Sequence, residues 1–344
     1  MKDFLFDGPT SLVVTSISGP NAVLRELATQ CKTRGLLFYL IGDVPSPSNF
    51  SLDGCEFYSL QRQAATDFEV AKLLPTRHYA RKNIGYLLAM RSRSRCLIET
   101  DDDNMPASGF WTPREAKQRG RALSKRGWAN VYQYFTEANI WPRGLPLDAI
   151  QNHLPEFDLL PEEDVDCPIQ QGLADGNPDV DAIYRMILPL PISFRTQRQV
   201  ALTQGVWSPF NSQNTTWLPK AYPLLYLPSY CSFRMTDIWR SLVAQRIAWE
   251  NRWSVLYRSA DVTQERNEHD LMKDFADEVP GYLYNRTIGE RLMQLDLEAG
   301  TENIGENLIS CYEELIRMAV VSAEEMNLVK AWIRDITALQ QGGD

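Results

Sequence analysis

Histidine is scarce in this chain, three in 344 residues, and His78, His153 and His269 stand too far apart in sequence to suggest a shared metal ion. Each reads as a packing or surface residue rather than a ligand. The six cysteines, Cys31, Cys55, Cys96, Cys167, Cys231 and Cys311, include no C-x-x-C pair. That spacing argues against a zinc ribbon or a disulfide scaffold and points to reduced thiols. No apolar run approaches the roughly 18 residues of a membrane span, and the stretch from Met1 to Pro9 has no leader-like apolar core. The expectation is a soluble, cytoplasmic protein, so the sequons at Asn49, Asn214 and Asn285 carry no weight. Cations are outnumbered, 35 Lys plus Arg against 44 Asp plus Glu, for a net charge of -9. A protein built to coat nucleic acid needs the opposite balance. Any anionic ligand must therefore be held by cations gathered locally. Repeats and low-complexity tracts are absent, and 44% hydrophobic content excludes disorder.

What is present is an alternation of strand and helix signals. Leu12–Ile17 is a β-branched run; Gly19-Pro20-Asn21 then turns the chain into a helical pattern with Val23, Leu24, Leu27 and Ala28 on one face and Asn21 as its cap. Leu36–Ile41 reads as a second buried strand, Glu56–Ser59 as a third, Tyr79–Met90 as a helix and Cys96–Thr100 as the next strand. Ligands of such βαβ sheets collect at the carboxyl ends of the strands. From there to about Tyr230 the chain is rich in Pro, Trp and polar turns, with strands expected at Val131–Tyr134 and Ala182–Met186. Elaborate loops of this kind usually build a site. Helices follow at Asp237–Trp249, at Glu265–Glu278 and over an amphipathic tail from Asn303 to Gln341, so a boundary is drawn near Ala260. The basic run Arg114, Lys117, Arg119, Arg121, Lys125 and Arg126 reads as a solvated helix face, with contact to an acidic acceptor as the minor alternative.

The most informative segment is Asp101-Asp102-Asp103-Asn104, directly after a strand. Consecutive carboxylates repel one another unless a cation or several donors sit among them. If the extended geometry continues, Asp101 and Asp103 point to one side and Asp102 to the other. Two hard oxygen ligands on one side suit Mg2+ or Mn2+, which complete their shells with water and phosphate oxygens. The plainer alternative is a solvated acidic turn.

This segment resembles the D-x-D motif of GT-A nucleotide-sugar transferases. The blocks Tyr79–Tyr86, Trp141–Pro146, Gln171-Gly172 with Asn177–Asp181, and Arg234–Arg240 resemble, in order, the STELLO-type glycosyltransferase domain. More distantly they resemble the plant reversibly glycosylated polypeptides, which are UDP-arabinopyranose mutases. The resemblance spans roughly Leu12 to Trp249. It implies an α/β fold, a GT-A-like mixed sheet flanked by helices over residues 1–259, with a helical extension over 260–344. The amino terminus lacks the membrane anchor of the plant STELLO proteins, which turns the expected location away from the Golgi.

The resemblance implies Thr15, Ser16 and Asp43 near base and ribose, Asp101 near the ribose and on the metal, and Asp103 on the metal. Arg81 and Lys82 would meet the diphosphate, or else lie on a solvated helix face. Arg143 would hold phosphate or lie near the anomeric carbon, and it occupies the position of an arginine that becomes glycosylated in the mutases. Asp179 and Asp181 would accept from sugar hydroxyls, or form a turn and strand edge. Asn211, Gln213 and Asn214, between Trp207 and Trp217, suit carbohydrate, unless those tryptophans are core. Asp102 and Arg234 are assigned to the sugar and acceptor side. Asp237 is the candidate general base, or simply a helix cap. The expected function is metal-dependent transfer of a sugar from a nucleotide sugar, most simply UDP-linked, to a glycan acceptor. The alternatives are an NDP-sugar mutase and a silent nucleotide-sugar-binding scaffold. The stripe Leu308, Leu315, Met318 and Val321 in the tail suits a lid, an oligomer contact or plain core packing.

Overall fold

The computed structural model describes residues 7–265 and 270–341. The chain opens with β1 (Gly8–Thr15), α1 (Ala22–Arg34), β2 (Leu37–Ile41), β3 (Glu56–Tyr58), the short helices α2 (Leu60–Ala64) and α3 (Glu69–Leu73), then α4 (Lys82–Arg91) and β4 (Ser94–Thr100). The middle contributes β5 (Asn104–Pro106), β6 (Lys117–Leu123), β7 (Gly127–Trp128), β8 (Glu162–Asp166), β9 (Ile169–Gly176), α5 (Ala182–Ile187), β10 (Gln199–Leu202), β11 (Val206–Trp207) and β12 (Asn214–Trp217). It closes with α6 (Thr236–Glu250), β13 (Val255–Gln264), α7 (Leu271–Met293), α8 (Ile304–Arg317) and α9 (Glu325–Gln341).

The sheet runs β3-β2-β1-β4-β12-β9-β13-β10-β6-β8, with β5 paired to β13. The first four strands are parallel, and β12 joins β4 antiparallel. This is the mixed α/β, GT-A-like arrangement that the motifs imply. Asn21 caps α1, accepting from the Leu24 N–H at 2.8 Å. Helix α4 lies so close to β1 that a Cβ on Gly85 would stand 2.4 Å from Val13 Cγ1, so no larger residue fits that crossing. The register aligns Val13 with Glu99 and Asn214 with Thr100, which brings the chain after β1, the acidic segment after β4 and the segment before β12 to one edge.

Behind that edge, Glu99 is fully buried and accepts from Tyr86, from Trp217 Nε1 at 2.8 Å and from Arg240 at 2.8 Å. A buried carboxylate is tolerable only when its oxygens are filled in this way.

Several expectations are corrected. Val131–Tyr134 is a 3-10 turn, with Val131, Tyr132 and Tyr134 all buried rather than alternating. Ala182–Ile187 is a helix because Asp181 caps it, accepting from the Tyr184 N–H at 2.8 Å. The basic run is not a helix face. Its middle is strand β6, whose Arg119 lies across from Asp164 on β8, forty-five residues further along the chain. The boundary residue Ala260 falls inside β13. The helix expected from Glu265 begins, among the described residues, at Leu271; His269 lies outside the described residues. The tail is two helices packed into the body of the protein, with Leu308, Leu315 and Val321 buried. Its apolar stripe is core, not a free face. Among the described residues no helix is long and apolar enough to cross a membrane.

Glu325 shows how firmly that tail is joined. Its buried carboxylate accepts from the Ser229 N–H at 2.9 Å, the Tyr230 N–H at 2.6 Å and the Tyr226 hydroxyl. Replacing Glu325 by Ala strands two backbone donors and is expected to cost about 3 kcal/mol in urea unfolding. A change within about 0.5 kcal/mol would show that the tail docks independently of the sheet.

Candidate functional site

Two adjoining cavities open where β1, β2 and β4 end, and they share Thr15, Ile17, Tyr79, Asp102 and Phe233. Together they form one cleft. The first, of about 300 Å3, is walled by Thr15, Ser16, Gly42, Asp43, His78 and Phe233, with Arg77 and Arg81 also lining it. Its aromatic wall is tightly packed: His78 stacks on Tyr79 with centroids 5.6 Å apart, and both rings meet Phe233 edge to face at 5.2 and 5.0 Å. Burial pulls the His78 imidazole down to about 4, and its Nδ1 accepts from the Ala80 N–H at 3.0 Å. His78 is therefore a neutral, oriented ring at neutral pH. Asp43 is used structurally, accepting from the His78 N–H at 2.9 Å and from the Val44 N–H at 2.7 Å.

The second cavity, of about 380 Å3, holds the charges: Asp101, Asp102, Asp103, Arg143, Asp179 and Asp237 all face it. The strand ends at Thr100, and the Asn104 N–H returns to the Asp101 carbonyl at 3.3 Å. The three carboxylates thus sit on a turn, and the strand alternation expected for them does not apply. Asp101 accepts from Lys82 Nζ at 2.9 Å. Asp102 accepts from the Ser16 hydroxyl, while Asn21 Nδ2 donates to its carbonyl at 2.8 Å. Asp103 Oδ2 accepts from Gln264 Nε2 at 3.0 Å. Its Oδ1 is buried with no hydrogen-bond partner among the described residues.

Burial raises all three carboxyls above the ordinary carboxylate range; for Asp103, burial and then the Asp101 charge push it to about 6. An orphaned carboxylate oxygen beside a second carboxylate is what a hard cation would satisfy. Among the described residues no three His, Cys, Asp or Glu side chains converge as a closed metal cage.

The basic residues are placed differently from their expected roles. Lys82 is fully buried beneath the acidic turn, donating to Asp101, to the Thr100 carbonyl at 3.1 Å and to the Ser212 carbonyl at 3.3 Å. Arg81 donates to Gln63 at 2.7 Å and to the Leu74 carbonyl at 3.0 Å. Neither lies on a solvated helix face.

Arg143 sits in a clamp. Its Nε and Nη2 each donate at 2.8 Å to the two oxygens of Asp179, its Nη2 donates to Asp237 at 3.0 Å, and its Nη1 reaches the Arg234 carbonyl. Burial alone would lower its pKa, but Asp179 and Asp237 more than offset that and hold it well above the usual value. Every guanidinium nitrogen is engaged and protonated, so Arg143 is unsuited to act as a sugar-accepting nucleophile in this arrangement. The next residue, Gly144, has a φ of +87°, and a Cβ there would stand 2.4 Å from Ile238, so the clamp loop requires glycine.

Asp237 is not the N-cap of α6, which is Met235. It accepts from Arg143, from the Ser212 N–H at 3.1 Å and from the Tyr79 hydroxyl at 3.2 Å. Burial would raise its pKa, but Arg143 more than offsets that and holds the carboxyl well below the usual range. A carboxylate so held by Arg143 is a weak base in this arrangement.

Other expected residues lie behind the surface. Asp181 is fully buried as the cap of α5 and accepts from Trp141 Nε1 at 2.7 Å. Asn214 is buried and donates to Asp261 at 2.6 Å. Asn211 supports Asp179 at 2.8 Å, whereas Gln213 and Arg234 reach the cleft wall. Arg234 also pairs with the buried Glu278 at 3.0 Å. Trp207 and Trp217 are core. Sequence reasoning missed His78, Tyr79, Phe233 and Gln264 as site residues. Only the aromatic content of the two flanking blocks hinted at the first three.

Comparison with known proteins bears on the cleft and on the tail. Residues 234–341 match the family described as STELLO glycosyltransferases. The chain is 30% identical over 247 residues to the Arabidopsis thaliana protein named "Probable glycosyltransferase STELLO1", covering 65% of this chain and 32% of that protein. It is 30% identical over 261 residues to "Probable glycosyltransferase STELLO2" of the same plant, covering 70% and 33%. The chain spans about a third of the length of these curated relatives. The family match runs past Trp249 into the terminal helices, further than the motif blocks reach.

The clamp makes a pH-dependent contribution to stability. Asp237 has a folded pKa below its unfolded one, so its stabilisation is complete above about pH 4 and fades as pH falls toward the folded value. Asp237→Asn is expected to lose about 3 kcal/mol at neutral pH, with the gap from wild type narrowing near pH 3 in paired urea titrations. A gap independent of pH would contradict its ionic origin.

Proposed function

The chain is of the STELLO glycosyltransferase type, and from that premise we propose that it is a metal-dependent transferase moving a sugar from a nucleotide sugar to a glycan acceptor. One observation carries the reading. An aromatic cavity and a carboxylate cavity adjoin at the carboxyl ends of parallel strands, and the second is lined by Asp103, whose Oδ1 has no hydrogen-bond partner among the described residues.

The first cavity suits a pyrimidine nucleoside, which favours a UDP-linked donor. The base would lie against Tyr79 and Phe233, and the ribose near Thr15 and Asp102. Arg77, the exposed cation at its rim, is the available contact for phosphate. Asp103 with Asp101 would hold Mn2+ or Mg2+. When bound, such an ion neutralises charge on the departing diphosphate. Lys82 and Gln264 fix the two carboxylates so that neither must reorganise. The Arg143 clamp shapes the acceptor side through Asp179 and Asp237 rather than reacting itself.

The test is a thermal-shift panel of UDP, GDP, CDP and TDP, each with and without Mn2+. Ligand at about a hundred times its dissociation constant should stabilise the fold by roughly 2.7 kcal/mol. The reading expects a Mn2+-dependent shift with UDP, lost in Asp103→Asn and weakened roughly tenfold in affinity in Phe233→Ala. No shift with any nucleotide would favour a silent scaffold. Conversion of the sugar ring without an acceptor would favour a mutase.

A further inference from the structure

A larger cavity, about 720 Å3, lies away from this cleft. It runs over the amino-terminal half of β4, beside α1 on the same face of the sheet. Cys96, Ile98 and Leu218 form its floor. Cys96 precedes Asp101 by five residues, which places the floor about 16 Å back along the strand.

Its walls invert the charge of the protein as a whole. Arg34, Arg95, Arg114, Lys117 and Lys220 line it, against the single carboxylate of Glu115, in a chain whose net charge is -9. Not all of these cations are consumed by the fold. Arg95 and Lys117 are exposed and have no ion-pair partner among the described residues. Arg114 is 9% exposed and paired with Asp261, yet its Nε is buried with no hydrogen-bond partner among the described residues. Arg34 lies over the Trp111 ring, 5.5 Å from its centroid, placing a guanidinium on an aromatic face at the rim.

We propose that this trough is a second binding site, for an acidic oligosaccharide bearing carboxylate or sulfate groups. A neutral glycan would leave the exposed Arg95 and Lys117 without a charge partner. A compact polyphosphate has no use for an apolar floor. Sugar rings carrying periodic charges match both, with their apolar faces on Ile98 and Leu218 and their anions on the rim. Two of these cations, Arg114 and Lys117, come from the basic run, which the nucleotide cleft leaves unused. The inference deepens the transferase reading by naming an acceptor class and rests on that reading only for the acceptor role, because binding here needs neither metal nor nucleotide.

The experiment measures calorimetric binding of an oligogalacturonate, a neutral maltooligosaccharide of equal length and tripolyphosphate to the whole chain. Wild type, Asp103→Asn and the double variant Arg95→Ser/Lys117→Ser are compared. Oligogalacturonate should bind wild type and Asp103→Asn alike, weaken with added salt, and bind the double variant roughly tenfold or more weakly. The neutral glycan should not bind. Equal binding by the double variant, no binding of oligogalacturonate, or tripolyphosphate binding as tightly as the acidic glycan would each overturn the proposal. Should the double variant fail to fold, Lys117→Ser alone, at an exposed strand position, gives the same comparison. Loss of nucleotide binding in Asp103→Asn with oligogalacturonate binding intact separates the two sites.

Discussion

One guanidinium holds the working end of this molecule together. Arg143 is pinned between Asp179 and Asp237, and through them it fixes the loop at Gly144, the turn before α5 and the first turn of α6. Without it, two buried carboxylates would face each other across a cleft that already holds three more. The same logic repeats one layer down, where Lys82 answers Asp101 and Arg240 answers Glu99. Breaking such a pair leaves an uncompensated buried charge, which costs far more than the pair itself gains. Arg143, Lys82 and Arg240 are thereby committed to scaffold. The acidic turn keeps unanswered negative charge at Asp103, and the proposed function follows from that imbalance.

Much of this was legible in the sequence wherever the cause was local. The Asn21 cap, strands β1, β2 and β4, and the acidic turn all come from signals within a few residues. Helix α5 was misread because Ala182–Met186 is too short to show a period, and its decisive signal is the single cap Asp181. Strand β6 was misread because its acidic partner β8 lies far along the chain, and isolated basic residues look like a solvated face. Site roles fared unevenly for a similar reason. Sequence gives the charge of Arg143, Lys82 and Asp237, but whether a charge is free or already answered is a property of the fold. The aromatic wall was hidden because His78 and Phe233 are more than 150 residues apart in sequence.

The terminal helices are part of this account. The family match covers Arg234 and Asp237 as well as α7, α8 and α9, and the structure shows why these segments form one unit. Glu278 of α7 holds Arg234 at the cleft wall, and Glu325 of α9 fixes the Ser229-Tyr230 turn that leads to Phe233. The helices buttress the same wall that carries the aromatic half of the site.

The central claim is that the unanswered charge at Asp103 and the aromatic cavity beside it form one metal and nucleotide site. Anomalous diffraction from crystals soaked with UDP and Mn2+ tests it most directly. The account predicts a manganese peak at Asp103 and Asp101, with the diphosphate on the ion and uracil against Tyr79 and Phe233. Ordered UDP elsewhere, or manganese bound away from the acidic turn, would contradict it.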